Sequence, residues 1–152
     1  MPKNFNSPVS HQPLAQMEDI WFQPGDFFTL TNIPHKFGWA AYQTWGYEGT
    51  GPRDFAANIL FHFAGDKKFA EKWFVDFCAE VISLLPHNKP GELKAEVVSQ
   101  WIVDRRGQTP NWNKPMELSE NCYQEEYKQK ILSQQNPTLK NKGGFLSALF
   151  NL

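Results

Sequence analysis

At 152 residues the chain suits one domain of ordinary size with tails, and 41% apolar residues with six Trp and thirteen Phe exclude a polar, coreless chain. The formal net charge of −1 lacks the basic excess that supplies most non-specific nucleic-acid affinity. Cys78 and Cys122 offer neither a disulfide framework nor a paired metal spacing, and Cys78, inside an apolar helical pattern, is expected as a buried thiol. No apolar run follows Met1-Pro2-Lys3-Asn4, and nothing approaches the ~20 apolar residues of a bilayer span. A cytoplasmic protein without a membrane segment is therefore expected.

Residues 1–18, with Pro2, Pro8 and Pro13 among scattered Asn, Ser and Gln, read as an extended or disordered arm. A compact core domain is expected over 19–107. Ile20-Trp21-Phe22 and Phe27-Phe28-Thr29-Leu30-Thr31 flank Pro24-Gly25-Asp26 and predict a strand–turn–strand, with Gly25 supplying positive φ in a type II turn. From Ile33 to Trp45 the pattern is broken by Pro34. Trp39-Ala40-Ala41-Tyr42 fits a short helix or a short strand equally well.

Pro52 suits the first position of a helix, and Asp54 would then lie in its first turn. Phe55, Ile59 and Phe63 form its apolar stripe, Gly65 its C-terminal cap, and Asp66 the N-cap of the next helix. That second helix places Phe69, Trp73, Phe77 and Val81 at steps of four and ends before Pro86; it is expected to be the central buried helix. Residues 87–91 read as a loop. A third helix is expected from Glu92 to Arg105, with Leu93, Val97 and Trp101 inward and Gly107 closing it. Residues 108–136 read as a Pro- and Asn-rich loop followed by a peripheral helix starting at Ser119, supported by Glu120. Residues 137–152 read as a flexible linker and an apolar C-terminal hexad.

The densest local chemistry is Trp45-Gly46-Tyr47-Glu48-Gly49-Thr50-Gly51-Pro52-Arg53-Asp54. It is not a phosphate-binding P-loop, because Pro52-Arg53 stands where Lys and then Ser or Thr are needed, nor a dinucleotide fingerprint, because Asp54 replaces the third glycine. Two readings remain. Gly49, Thr50 and Gly51 can present backbone amides at the positive end of a helix, with Arg53 as a cation and Trp45 and Tyr47, beside Trp39 and Tyr42, as stacking faces for a small anionic ligand or a partner. Alternatively, the stretch is a scaffold turn.

Asn58, His62 and Asp66 share a helix face at a spacing a metal could use, but one His and one Asp fall short of a ligand set, so no metal is expected. No nucleophile elbow or H-E-x-x-H occurs. No catalytic residue and no cofactor are expected. In the C-terminal hexad, Phe145 with Leu149 and Leu146 with Phe150 pair at i, i+4, forming a face for a partner's groove or for docking on its own domain.

The run Trp45 to Pro52, the helix Phe55 to Phe63, Gly65-Asp66 and Val81-Ile82-Ser83-Leu84-Leu85-Pro86 resemble an uncharacterised small domain-of-unknown-function family of bacteria, archaea and phages, whose hallmark is W-G-Y-G-G-[ST]-G-P. The resemblance covers about residues 37–103. It implies a shared core in which everything after Gly107 is an addition, and its phage and mobile-element members imply an accessory role. Glu48 departs from the hallmark and sets a carboxylate beside any anion site.

The expected fold is α+β and mainly helical, a small N-terminal β element packed on three to four helices. The expected function is a non-enzymatic binding protein, a phage or mobile-element accessory factor acting by protein–protein contact. The first alternative is a small-ligand or nucleotide-binding module using the Gly46–Arg53 loop. The second, nucleic-acid binding through Arg105, Arg106 and the lysines between Lys128 and Lys142, ranks last because Glu125 and Glu126 are interleaved.

Overall fold

A computed structural model describes residues 14–111 and 116–120, all within the unit Met1–Cys122. The expected peripheral helix beyond Glu120, the linker and the hexad with Phe145, Leu146, Leu149 and Phe150 lie outside the described residues, as does most of the N-terminal arm.

Strand β1 (Ile20–Gln23) alternates inward and outward: Ile20 and Phe22 are buried, Trp21 and Gln23 exposed, as a period of two requires for a sheet covered on one face. It pairs antiparallel with β2 (Leu30–Thr31), in register Phe22 to Thr31 and Gln23 to Leu30. The expected strand–turn–strand is present, but its turn spans residues 24–29 and Gly25 does not take a positive φ. The other edge of β1 pairs antiparallel with β3 (Gly91–Leu93), with Ile20 opposite Leu93 and Trp21 opposite Glu92. The sheet order is β2-β1-β3.

Helix α1 (Thr50–Ala64) starts at Thr50, so Pro52 is its third residue, not its first, and Asp54 lies beyond the first turn. The lost N–H of Pro52 still costs nothing, since the first N–H groups of a helix have no intrahelical partner. Gly65 ends the helix in the left-handed conformation, φ 68° and ψ 20°, donating to the Phe61 carbonyl at 2.8 Å. Asp66 then caps α2 (Lys67–Glu80), its side chain accepting from the N–H groups of Lys68 at 2.9 Å and Phe69 at 3.3 Å. A short 3-10 turn, Ile82–Leu84, precedes Pro86.

The central helix is α1, which corrects the expectation for α2. Phe55, Ile59, Leu60 and Phe63 are fully enclosed, and so are Ala56 and Ala57 on its flanks. Between Phe55 and Phe63 no Asp, Glu, Lys or Arg occurs, so the helix has no face that must reach water. It packs against α2, the 3-10 turn and α3 (Ala95–Arg105), and carries the sheet through Phe22 edge-on to Phe55 at 5.7 Å. By contrast α2 has the cleaner period but a charged outer side; its Phe69, and Val81 just after it, are only partly buried.

The third helix is shorter than expected because residues 91–93 are strand β3. Its inward face is Ala95, Val98, Trp101 and Ile102, while Val97 is exposed. Trp101 lies edge-on to Phe77 at 4.9 Å and to Trp73 at 5.8 Å, and Arg105 covers its ring at 4.4 Å. Glu80 accepts from Trp101 Nε1 at 3.0 Å and pairs with Arg105.

Some of the described residues after Gly107 pack on the core. Pro110 is buried, the Asn111 N–H donates to the buried carboxylate of Asp76 at 2.8 Å, and the Leu118 N–H donates to buried Glu71 at 2.8 Å. Leu118 is 1% exposed. Ser119 and Glu120 do not open a helix: the Ser119 carbonyl accepts from the Gly38 N–H at 3.0 Å, and Glu120 bridges antiparallel to Phe37. The fold is α+β and mainly helical, a small three-stranded sheet packed on three helices.

Candidate functional site

Residues 33–45 form neither the helix nor the strand that Trp39-Ala40-Ala41-Tyr42 suggested. They run irregularly along α1, held by two of its side chains. Asp54, 1% exposed, accepts from the Ala40 N–H at 2.8 Å, the Trp39 N–H at 3.0 Å and His35 Nε2 at 3.1 Å. One turn later Asn58 accepts from the Lys36 and Phe37 N–H groups, each at 2.9 Å, and donates to the Phe37 carbonyl at 2.9 Å. Gly38, at φ +130°, passes so close that an added Cβ would stand 2.1 Å from the Asp54 carboxyl carbon. The pair His35–Asp54 is the acid–base type of contact that the sequence did not reveal, because 19 residues separate its partners. It is enclosed, with side chains 4% and 0% exposed.

At the end of this run, Trp45 staples the glycine stretch to the loop after the 3-10 turn. Its Nε1 donates to the carbonyls of Pro86 at 2.9 Å and Lys89 at 3.1 Å, while its own carbonyl accepts from His87 Nδ1 at 3.1 Å. The Gly46 N–H donates to the Ile82 carbonyl at 3.0 Å. Gly46, at φ +90°, lies against His87, whose Cα would be 2.4 Å from an added Cβ. Any other residue is strained there and also clashes with backbone.

The other residues singled out in the glycine stretch do not converge. Trp45 is buried at 3% exposure; Tyr47, Trp39 and Tyr42 remain exposed. Gly49 is partly buried with its carbonyl accepting from the Arg53 N–H at 3.0 Å, and Gly51 is buried with its carbonyl accepting from the Thr44 N–H at 3.3 Å. Thr50 is exposed, and Arg53 is partly buried with its Nε lacking a hydrogen-bond partner among the described residues. Burial pushes the Cys78 thiol up to about 11; nearby Arg53 lowers it and Glu48 raises it further.

The concavity lies beside the stretch instead. A cavity of about 190 Å³ is bounded by the β1–β2 turn, the segment before Trp45 and the loop after Pro86. Phe27, Phe28, Tyr42, Trp45, His87 and Asp26 are among its lining residues. Phe27 is 49% and Tyr42 47% exposed, so two aromatic walls reach solvent above a buried indole. Thr29 donates its hydroxyl to the Gln43 carbonyl, tying the turn to the segment, and the Tyr47 ring stands edge-on to His87 at 5.2 Å. Of these residues the sequence drew attention only to Tyr42, Trp45 and Tyr47. The available signal for the rest was a Phe-Phe pair immediately after Pro-Gly-Asp, too apolar for an ordinary turn.

No group of three or more His, Cys, Asp or Glu comes together for a metal among the described residues, and none of their helices is long and apolar enough to cross a membrane.

Residues 33–104 match a family of unknown function, DUF6166. The matching segment begins with the irregular run, includes the glycine stretch, α1, α2 and β3, and stops one residue short of the end of α3. It contains the expected 37–103 span. Strands β1 and β2, with the turn between them that lines the cavity, lie before it, and the buried residues Pro110 and Leu118 lie after it. No curated protein and no solved structure matches the chain.

Proposed function

We propose that this protein is a non-enzymatic binding module that meets another protein through the aromatic pocket beside the glycine stretch. The observation that carries this reading is the cavity of about 190 Å³ with Phe27 and Tyr42 half exposed at its walls. Rigid aromatic faces around a concave apolar floor are the composition of anchor sites at protein interfaces. The glycine stretch then acts as scaffold: it fixes Trp45 as the floor and brings Tyr47 against His87. A role as a phage or mobile-element accessory factor rests on the sequence resemblance alone.

The burial of Gly51 weighs against an anion held by the loop. The engagement of Arg105 with Glu80 and Trp101 weighs against a nucleic-acid role for that residue. An enzymatic reading has His35 and Asp54 as its best pair; both are enclosed, and Asp54 is committed to holding backbone.

The test is affinity capture from host-cell extract with four baits: wild type, Phe27→Ser, Tyr42→Ala, and Leu84→Ala as a control at an exposed site that does not line the cavity. The expected result is a protein retained by wild type and Leu84→Ala and lost with both pocket variants at unchanged Tm. Identical sets of retained proteins on all four baits would rule the pocket out as the contact.

A further inference from the structure

One wall of the pocket is a single short piece of chain, residues 24–29 between β1 and β2. Two-residue hairpin loops match the twist of their strands and take their direction from it; a longer loop does not. The ladder beneath this one is short, Phe22 with Thr31 and Gln23 with Leu30. Within the turn the chain doubles back so closely that a Cβ on Gly25 would stand 2.1 Å from the Phe28 carbonyl oxygen. A compact turn on a short ladder keeps its own shape, so its angle to the body is set by what ties it there.

Thr29 makes such a tie. Its partly buried side chain lines the cavity, and its hydroxyl donates to the Gln43 carbonyl in the segment that bounds the cavity on another side. The acceptor is anchored: Gln43 is 3% exposed, and its Nε2 donates to the Ile33 carbonyl at 3.0 Å. Its neighbours Tyr42 and Thr44 line the cavity. The bond therefore joins two walls of the pocket, one of them fixed to the core.

We propose that Thr29 is a positioning residue, whose hydroxyl latches the β1–β2 turn to the Gln43 carbonyl and holds the pocket at the width at which it meets the partner. This rests on the reading of the pocket as a protein-contact site and adds how that site is kept ready. A wall placed before contact need not be ordered during binding. The net effect of one such hydrogen bond on a two-state equilibrium is about fivefold, so losing the hydroxyl raises the population of a lifted turn by that factor.

The test uses the full-length protein alone, so its result does not depend on the partner. Microsecond-to-millisecond exchange is read by nitrogen relaxation dispersion at the amides of residues 25–29 and at the Trp45 indole Nε1–H. The amides of residues 55–63 in α1 are the internal reference. Thr29→Val keeps the shape and removes the donor; it is expected to raise the exchange contribution at residues 25–29 about fivefold and to leave residues 55–63 unchanged. Thr29→Ser keeps the donor and is expected to behave as wild type. If Thr29→Val fails to fold, Thr29→Ala carries the same expectation. No rise in the donor-free variant would overturn the latch. An equal rise in Thr29→Ser would overturn it too, by assigning the hold to the Thr29 methyl, and so would a rise shared by residues 55–63, which marks general loosening. None of these outcomes touches the protein-contact reading, which the capture experiment judges.

Discussion

Asp54 shows how one side chain can change role between sequence and structure. In sequence it is a carboxylate in the first turn of a helix; in the fold it turns away from the helix end and gathers the N–H groups of Trp39 and Ala40 with the imidazole of His35. Buried donors that lose their acceptor cost about 1–3 kcal/mol each. Asp54→Ala is therefore expected to lower stability by roughly 2–4 kcal/mol, read from the urea midpoint at constant m-value. A loss under about 0.5 kcal/mol, the usual scatter for surface changes, would mean that Asp54 does not hold this run. Cys78 gives a second expectation at this scale. With burial pushing its thiol up to about 11, it carries almost no thiolate at pH 8. In a Cys122→Ser background, Cys78 is expected to react with a disulfide reagent only as fast as the protein opens; rapid stoichiometric labelling of the folded protein would contradict its burial.

Among the elements, α3 depends on a residue far from it in sequence. Its N-cap position, Lys94, provides no side-chain cap; the Asp19 carboxylate beside β1 accepts from the Ala95 N–H at 2.8 Å instead. That hydrogen bond holds the Asp19 carboxyl below its ordinary 3.8; partial desolvation opposes the shift and Lys94, at 3.4 Å, adds to it. Because the folded form has the lower pKa, the ionised cap stabilises above the unfolded value and its contribution is lost as pH falls through the folded one. Thermal unfolding of wild type and Asp19→Ala is expected to show a Tm gap at pH 7 and pH 5 that narrows below pH 3.8. A gap unchanged down to pH 2 would remove the charged cap from the account. The strand β3 that precedes this helix has no propensity signature of its own. Gly91, Glu92 and Leu93 become a strand because β1 offers an unpaired edge.

Across the whole molecule, the segment that matches DUF6166 is completed from both sides: β1 and β2 come from before it, and Pro110 and Leu118 from after it. A chain ending at Gly107 would leave the carboxylates of Glu71 and Asp76 without the Leu118 and Asn111 N–H groups and open the site that Leu118 fills. Burying one Leu contributes about 1.5–3 kcal/mol, so this truncation is expected to lower Tm by several degrees relative to the full chain. An unchanged Tm would mean that Pro110 and Leu118 do not support the core.

Local signals settled what short-range physics controls. The Gly65 and Asp66 caps, the helical period through Phe55, Ile59 and Phe63, and the alternation of Ile20-Trp21-Phe22 depend on neighbours within a turn or a strand, so they were legible residue by residue. The rest required pairs distant in the chain. Which helix is central depended on how many sides of α1 the other elements cover. The strand character of Gly91–Leu93 depended on β1, and the buried Asp54–His35 contact depended on the run between Pro34 and Trp45 folding back along α1. The candidate pocket belongs to this second class. Phe27, Tyr42, Trp45 and His87 are scattered through the sequence, and only the closing of three loops around the Trp45 indole makes them one surface.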